Sequence, residues 1–79
     1  MRRGKKLYTV VVHYNDNVEL EVRRALSLDK YEIESKGIQK GLTELTIQIL
    51  APSKSVGVVD RLYSIDGVIS VKAVKCEGK

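Results

Sequence analysis

The sequence predicts an α+β fold, a four-stranded antiparallel sheet with two helices packed on one face. Three observations predict it. The hydropathy period switches between two and about 3.6 along the chain in the order β-α-β-β-α-β. Turn residues fall at each switch. A 37-residue offset lays Thr9–Asp29 on Thr46–Asp66 without a gap, so two βα halves share one inward register.

Leu7 to Tyr14, LYTVVVHY, is rich in β-branched and aromatic residues and reads as the first strand. Asn15-Asp16-Asn17 supplies a turn with N-cap chemistry. From Val18 to Leu28 the apolar residues Val18, Val22, Ala25 and Leu26 fall on one helical face. Glu19 and Glu21 precede Arg23 and Arg24, the order that the helix dipole favours.

Tyr31 to Gln39 returns to alternation, with Tyr31, Ile33 and Ser35 against Glu32, Glu34 and Lys36. Lys40-Gly41 is a two-residue hairpin signal. Leu42 to Leu50 alternates Leu45, Ile47 and Ile49 against Glu44, Thr46 and Gln48. Ala51-Pro52-Ser53 ends that strand and opens a second helix, whose expected buried stripe is Val56, Val59 and Leu62/Tyr63. Asp66-Gly67 is a turn. Val68 to Lys75 closes the sheet, with Ile69, Val71 and Ala73 facing away from Ser70 and Lys72.

This element order is the split βαβ, or ferredoxin-like, arrangement. The repeat assigns Tyr8, Val10 and Val12 to the core beside Leu45, Ile47 and Ile49. It leaves an uncovered face made of Thr9, Val11, His13, Glu32, Glu34, Lys36, Glu44, Thr46, Gln48, Ser70, Lys72 and Val74.

The 79 residues make one domain: a basic tail at 1–6 expected to be disordered, a folded body at 7–75, and a C-terminal tail at 76–79. The composition, 43% hydrophobic and 30% charged, is that of a globular chain. The net charge of +4 comes from Arg2, Arg3, Lys5 and Lys6; the remaining ten cations are balanced by ten acids. No apolar run is long enough to cross a bilayer. No secretory leader is expected, because strand-like sequence follows the basic start. The basic residues point either to an anionic membrane surface or to nonspecific nucleic-acid contact.

Chemistry-bearing constellations are sparse. The single Cys76 excludes an intrachain disulfide, and no metal or cofactor site is expected. His13 reads as a sheet residue. Asp16, Glu19 and Glu21 read as helix-start acids. RNA-recognition motifs of this topology stack bases on aromatics of the open face; here Tyr8 and Tyr14 are expected to point inward. The loop after the first strand lacks both the C-x-x-C of soft-metal domains and the arginine of acylphosphatases. No nucleotide loop or nucleophile elbow occurs, and no enzyme activity is expected.

The element order, with Asp60-x-Leu62 and Ile65-Asp66-Gly67-Val68-Ile69-Ser70-Val71, resembles an ACT-type regulatory domain. Gly41-Leu42-Thr43-Glu44-Leu45-Thr46 further resembles the cytosolic C-terminal domains of bacterial MgtC/SapB-type membrane proteins, a group associated with magnesium transport and virulence. The resemblance spans Leu7 to Lys75. It implies a non-catalytic regulatory module that self-associates or binds a protein partner. Its place would be the cytoplasm, or the inner face of the membrane as part of a longer protein. It also implies an alternative, an amino-acid-type ligand at Asn15, Asp16 and Asn17. Asp16 matches the acidic position of amino-acid-binding relatives, while Asn17-Val18 stands where they have glycine. A second alternative is nucleic-acid contact through the basic tail.

Overall fold

A computed structural model describes residues 5–52 and 57–75. The strands are β1 (Lys5–Asn15), β2 (Lys30–Gln39), β3 (Leu42–Pro52) and β4 (Val68–Lys75). A 3-10 turn at Asp16–Val18 leads into helix α1 (Glu19–Leu26), and α2 (Gly57–Tyr63) joins β3 to β4. The sheet order is β2-β3-β1-β4, with every neighbouring pair antiparallel. The expected ferredoxin-like fold is the observed one. β1 opens at Lys5, two residues inside the segment assigned to the tail. Arg2, Arg3, Ser53, Val56 and Cys76 lie outside the described residues.

The core forms where the strand and helix periods meet. Val10, Val12, Ile47 and Ile49 are fully buried beneath Val22 and Leu26 of α1 and Leu62 of α2, with Val58 almost so. Each such side chain contributes about 1.5–3 kcal/mol relative to exposure. Tyr8, Tyr14 and Leu45 join them, as the repeat requires. The two strands match at the 37-residue offset, but the buried helix pairs Val22/Leu26 and Val58/Leu62 match at 36. The second helix therefore rolls by one residue: Val58 and Leu62 form its buried stripe, Val59 is half-buried and Tyr63 is exposed.

Two bulges correct the expected alternation. In β2, Ile33 pairs with Ile47 and Ser35 with Thr46, so Glu34 is an extra residue. Beyond it the side chains change face. Ser35 joins the open face, and Lys36, opposite the buried Leu45, turns to the helix side. In β4, Tyr14 pairs with Val68 and His13 with Ser70, leaving Ile69 unpaired and half-exposed rather than in the core. Apart from Glu34, which the bulge leaves unpaired, and Lys36, the open-face assignments hold, and Leu7, Leu42 and Leu50 join them. At the β2–β3 hairpin, Lys40 (φ 54°) and Gly41 (φ 79°) both take left-handed backbone, as a type I′ turn demands.

Candidate functional site

Three connections converge at one end of the sheet: the 3-10 turn after β1, the β2–β3 hairpin and the α2–β4 loop. Asn15 N–H donates to the Gly67 carbonyl at 2.9 Å, and Asp16 N–H to the Gly41 carbonyl at 3.0 Å. Gly67 is required twice over. Its φ is +116°, and a Cβ there would lie 2.9 Å from Cγ1 of Val18. The sequence-predicted site residues Asn15, Asp16 and Asn17 are thus brought together with exposed side chains. The first two have already spent their amides on the fold.

The expected N-cap does not form. The 3-10 turn displaces the helix start to Glu19, leaving Val18 at the cap position with no side-chain cap bond, and Asn15 caps nothing either. Glu19 instead becomes the local hub. Its Oε1 accepts the Tyr14 hydroxyl at 3.0 Å, and its Oε2 accepts Arg23 Nε at 3.0 Å and Lys36 Nζ at 2.8 Å. The Lys36 hydrogen bond leads the interactions that hold the Glu19 carboxyl below the usual carboxylate range. Burial first, then the bond to Glu19, pushes the Tyr14 hydroxyl well above its usual range. This hub ties β1, α1 and β2 together beside the junction. The sequence hid it, because the Glu34 bulge alone brings Lys36 to that side. Under the same junction, Thr43 is fully buried and its Oγ1 makes no hydrogen bond, the one such side-chain atom among the described residues.

On the open face, His13 has cross-strand neighbours on both sides. Its Nδ1 lies 3.1 Å from Ser70 Oγ, and its Nε2 lies 3.5 Å from Glu44 Oε2. Residue types at directly opposed positions explain the ladder, which the strand register made available. Acyl-transfer chemistry on such a trio depends on preorganised oxyanion donors in a water-excluded site. Here the His13 and Glu44 side chains are 42% and 57% exposed on an uncovered sheet. Asp16, Glu19 and Glu21 do not converge on a common point: Glu19 is engaged by cations, and no group of three or more potential metal ligands occurs among the described residues. None of the described helices is long and apolar enough to cross a membrane.

No family profile and no curated protein sequence matches the chain. Solved structures do. The ACT domain of the GTP pyrophosphokinase from Chlorobium tepidum superposes with a TM-score of 0.71 at 16% identity, covering 89% of this chain and 99% of that one. The C-terminal domain of the MgtC protein from Mycobacterium tuberculosis gives 0.64 at 17% identity, covering 98% and 94%. A homoserine dehydrogenase from Thiobacillus denitrificans gives 0.66 at 17% identity, with 92% of this chain lying on 18% of the enzyme. The ACT-like architecture expected from the sequence is therefore the architecture found. The ACT domain and the MgtC-type domain, the two groups the sequence resembles, both have this fold.

Proposed function

We propose that this chain is a non-catalytic, ACT-like regulatory module that works by associating with a second copy of itself through the free edge of β4. The likeness to an ACT domain and to an MgtC C-terminal domain supports the regulatory reading. With the MgtC likeness goes the proposal that the domain belongs, on the cytoplasmic side, to a larger, transport-associated bacterial membrane protein.

The observation that carries the association is the make-up of that edge. β4 is the last strand of the sheet, and from Ser70 to Val74 it runs in unbroken register against β1. Among the described residues, no strand pairs with its outer side. Such an edge is a template for pairing. Apolar surface lies along it: Val74 is 55% exposed on the open face, and Ile69 and Tyr63 (51% and 65%) line a groove between α2 and β4 with Val59 and Val71. Antiparallel pairing of two β4 strands would extend the sheet to eight strands and cover Ile69 and Tyr63 of both copies.

Analytical ultracentrifugation at high micromolar concentration tests this. The expected result is a dimer that Ile69→Lys combined with Val74→Lys converts to monomer without loss of helical signal. A wild-type chain that stays monomeric, or a dimer indifferent to both lysines, overturns the assignment.

A second reading keeps the junction as a site for an amino-acid-type ligand at Asn15, Asp16 and Asn17. It is favoured by the unsatisfied Thr43 hydroxyl, next in sequence to Leu42, the strand partner of Asn15. A ligand at a hundred times its Kd adds about 2.7 kcal/mol of stability. A thermal-shift screen of amino acids should find such a compound, and Asp16→Ala should abolish its effect. Flat melting temperatures throughout would remove this reading.

A further inference from the structure

The topology sorts charge by end of the sheet. At one end lie the starts of β1 and β2 and the finishes of β3 and β4. Lys30 pairs with Leu50, Leu50 with Leu7, and Lys75 with Tyr8 on the neighbouring residue of β1. β1 itself opens with Lys5-Lys6, and Arg2-Arg3 precede them in the sequence. Asp29, the acid of the adjoining α1–β2 turn, is already held by Arg61 at 2.6 Å. Among the described residues, Glu32 is an exposed acid lining the same surface. The opposite end carries Asp16, Glu44 and Asp66, with Lys40.

The cation-rich end is also the aliphatic one. Leu7 and Leu50 are about two-fifths exposed and directly opposed, and Leu28 in the α1–β2 turn is 68% exposed. One hollow of the surface is lined by Leu7 and Leu50, by Ser27, Asp29 and Lys30 of the adjoining turn and strand start, and by Glu32. Cations alone would suit any polyanion. Aliphatic side chains set among them gain nothing from a sugar-phosphate backbone. They do gain from entering the headgroup–acyl boundary, where apolar insertion and attraction to anionic lipid act together.

We infer that this end of the domain is a docking surface for an anionic bilayer. Lys30 and Lys75 lie against headgroups, while Leu28 with Leu7 and Leu50 enters the interface. Of its residues only Lys75 belongs to β4, at the end of the strand beyond the Ser70–Val74 stretch proposed to pair, so it operates whether or not the chain self-associates.

Vesicle sedimentation of the full chain tests it, with phosphatidylcholine alone compared with an equimolar mixture containing phosphatidylglycerol. The chain should sediment with the anionic vesicles only. Lys30→Glu should weaken binding by at least about fivefold, the effect of one lysine near an anionic leaflet. The same charge change at the far end, Lys40→Glu, should leave it within about twofold. Leu28→Ser, which alters no charge at an exposed turn position, should also weaken it several-fold.

Equal binding to both lipids overturns the inference. So do equal losses from Lys30→Glu and Lys40→Glu, which would mean overall charge alone, or retention of full binding by Leu28→Ser. Loss on removal of residues 1–4 with no response to Lys30→Glu would assign the contact to the tail and not to the fold. Duplex DNA that binds more tightly than the anionic vesicles and displaces the chain from them would assign the surface to nucleic acid.

Discussion

β2 and β4 both border the sheet, each with one side free of strand partners among the described residues, yet they are built on different terms. β2 is the longer, at ten residues, and it breaks its own register at Glu34. The break turns Lys36 to the helix side, where Glu19 holds its ammonium. Lys30, Glu32, Glu34 and Lys36 put charge on four of its first seven positions. A bulge and an inward-turned lysine are the devices by which sheets discourage edge-to-edge pairing. β4 has a bulge only at its start and carries charge at Lys72 and Lys75 alone; its remaining side chains are apolar apart from Ser70. The difference teaches that β2 carries the features that discourage edge pairing while β4 carries few of them, which is the premise of the proposed association. The Glu19 hub is the part of the molecule that maintains this asymmetry.

The largest effect should come from removing that hub. Glu19→Ala leaves the Tyr14 hydroxyl, on a fully buried side chain, without its acceptor, and frees Lys36 and Arg23. A loss of about 1–3 kcal/mol is expected in urea unfolding at neutral pH. The pH dependence has a definite sign. The folded-state pKa of Glu19 is depressed, chiefly by the Lys36 hydrogen bond. Its contribution is therefore complete above the unfolded carboxyl value of about 4.3 and disappears as pH falls through the lower folded value. The gap between wild type and Glu19→Gln should narrow across that acid window. A gap that is constant with pH would mean that the carboxylate charge is not what secures β2.

How much of this asymmetry was legible in the sequence depends on the residue. Val10, Val12, Ile47 and Ile49 announced the core because two clean strands repeat at a fixed offset, and burial enforces a period of two. Lys40-Gly41 announced its turn because few residue pairs accept positive φ at both positions. Lys36 and Ile69 were misplaced for one reason: a bulge costs the chain one residue of alternation and leaves no mark in hydropathy when its neighbours are polar or exposed. Val58 was missed because the roll of α2 is set by packing against β4 and α1, which a 3.6-residue pattern over seven residues does not fix. At the junction, Asn15-Asp16-Asn17 looked like a helix cap. Only the carbonyls of Gly41 and Gly67, distant in sequence, decide that Asn15 ends β1 and that Asp16–Val18 form a 3-10 turn.

The smallest expected change in stability carries the sharpest test of the comparison. Lys36→Ile removes the inward charge of β2 while Glu19 keeps Tyr14 and Arg23. Lys36 and Glu19 are each about a third exposed or less, so the net loss should stay within about 1 kcal/mol. The substitution nevertheless gives β2 what β4 already has: an edge with isoleucine at 36 between Ile33 and Ile38, which are 49% and 64% exposed. If the lysine is what keeps this edge unpaired, ultracentrifugation of Lys36→Ile should show species larger than the wild-type assembly. Those species should persist when Ile69→Lys and Val74→Lys block β4. Should the variant match wild type in size, the bulge at Glu34 is sufficient protection by itself, and the difference between the two edges lies in backbone register rather than in charge.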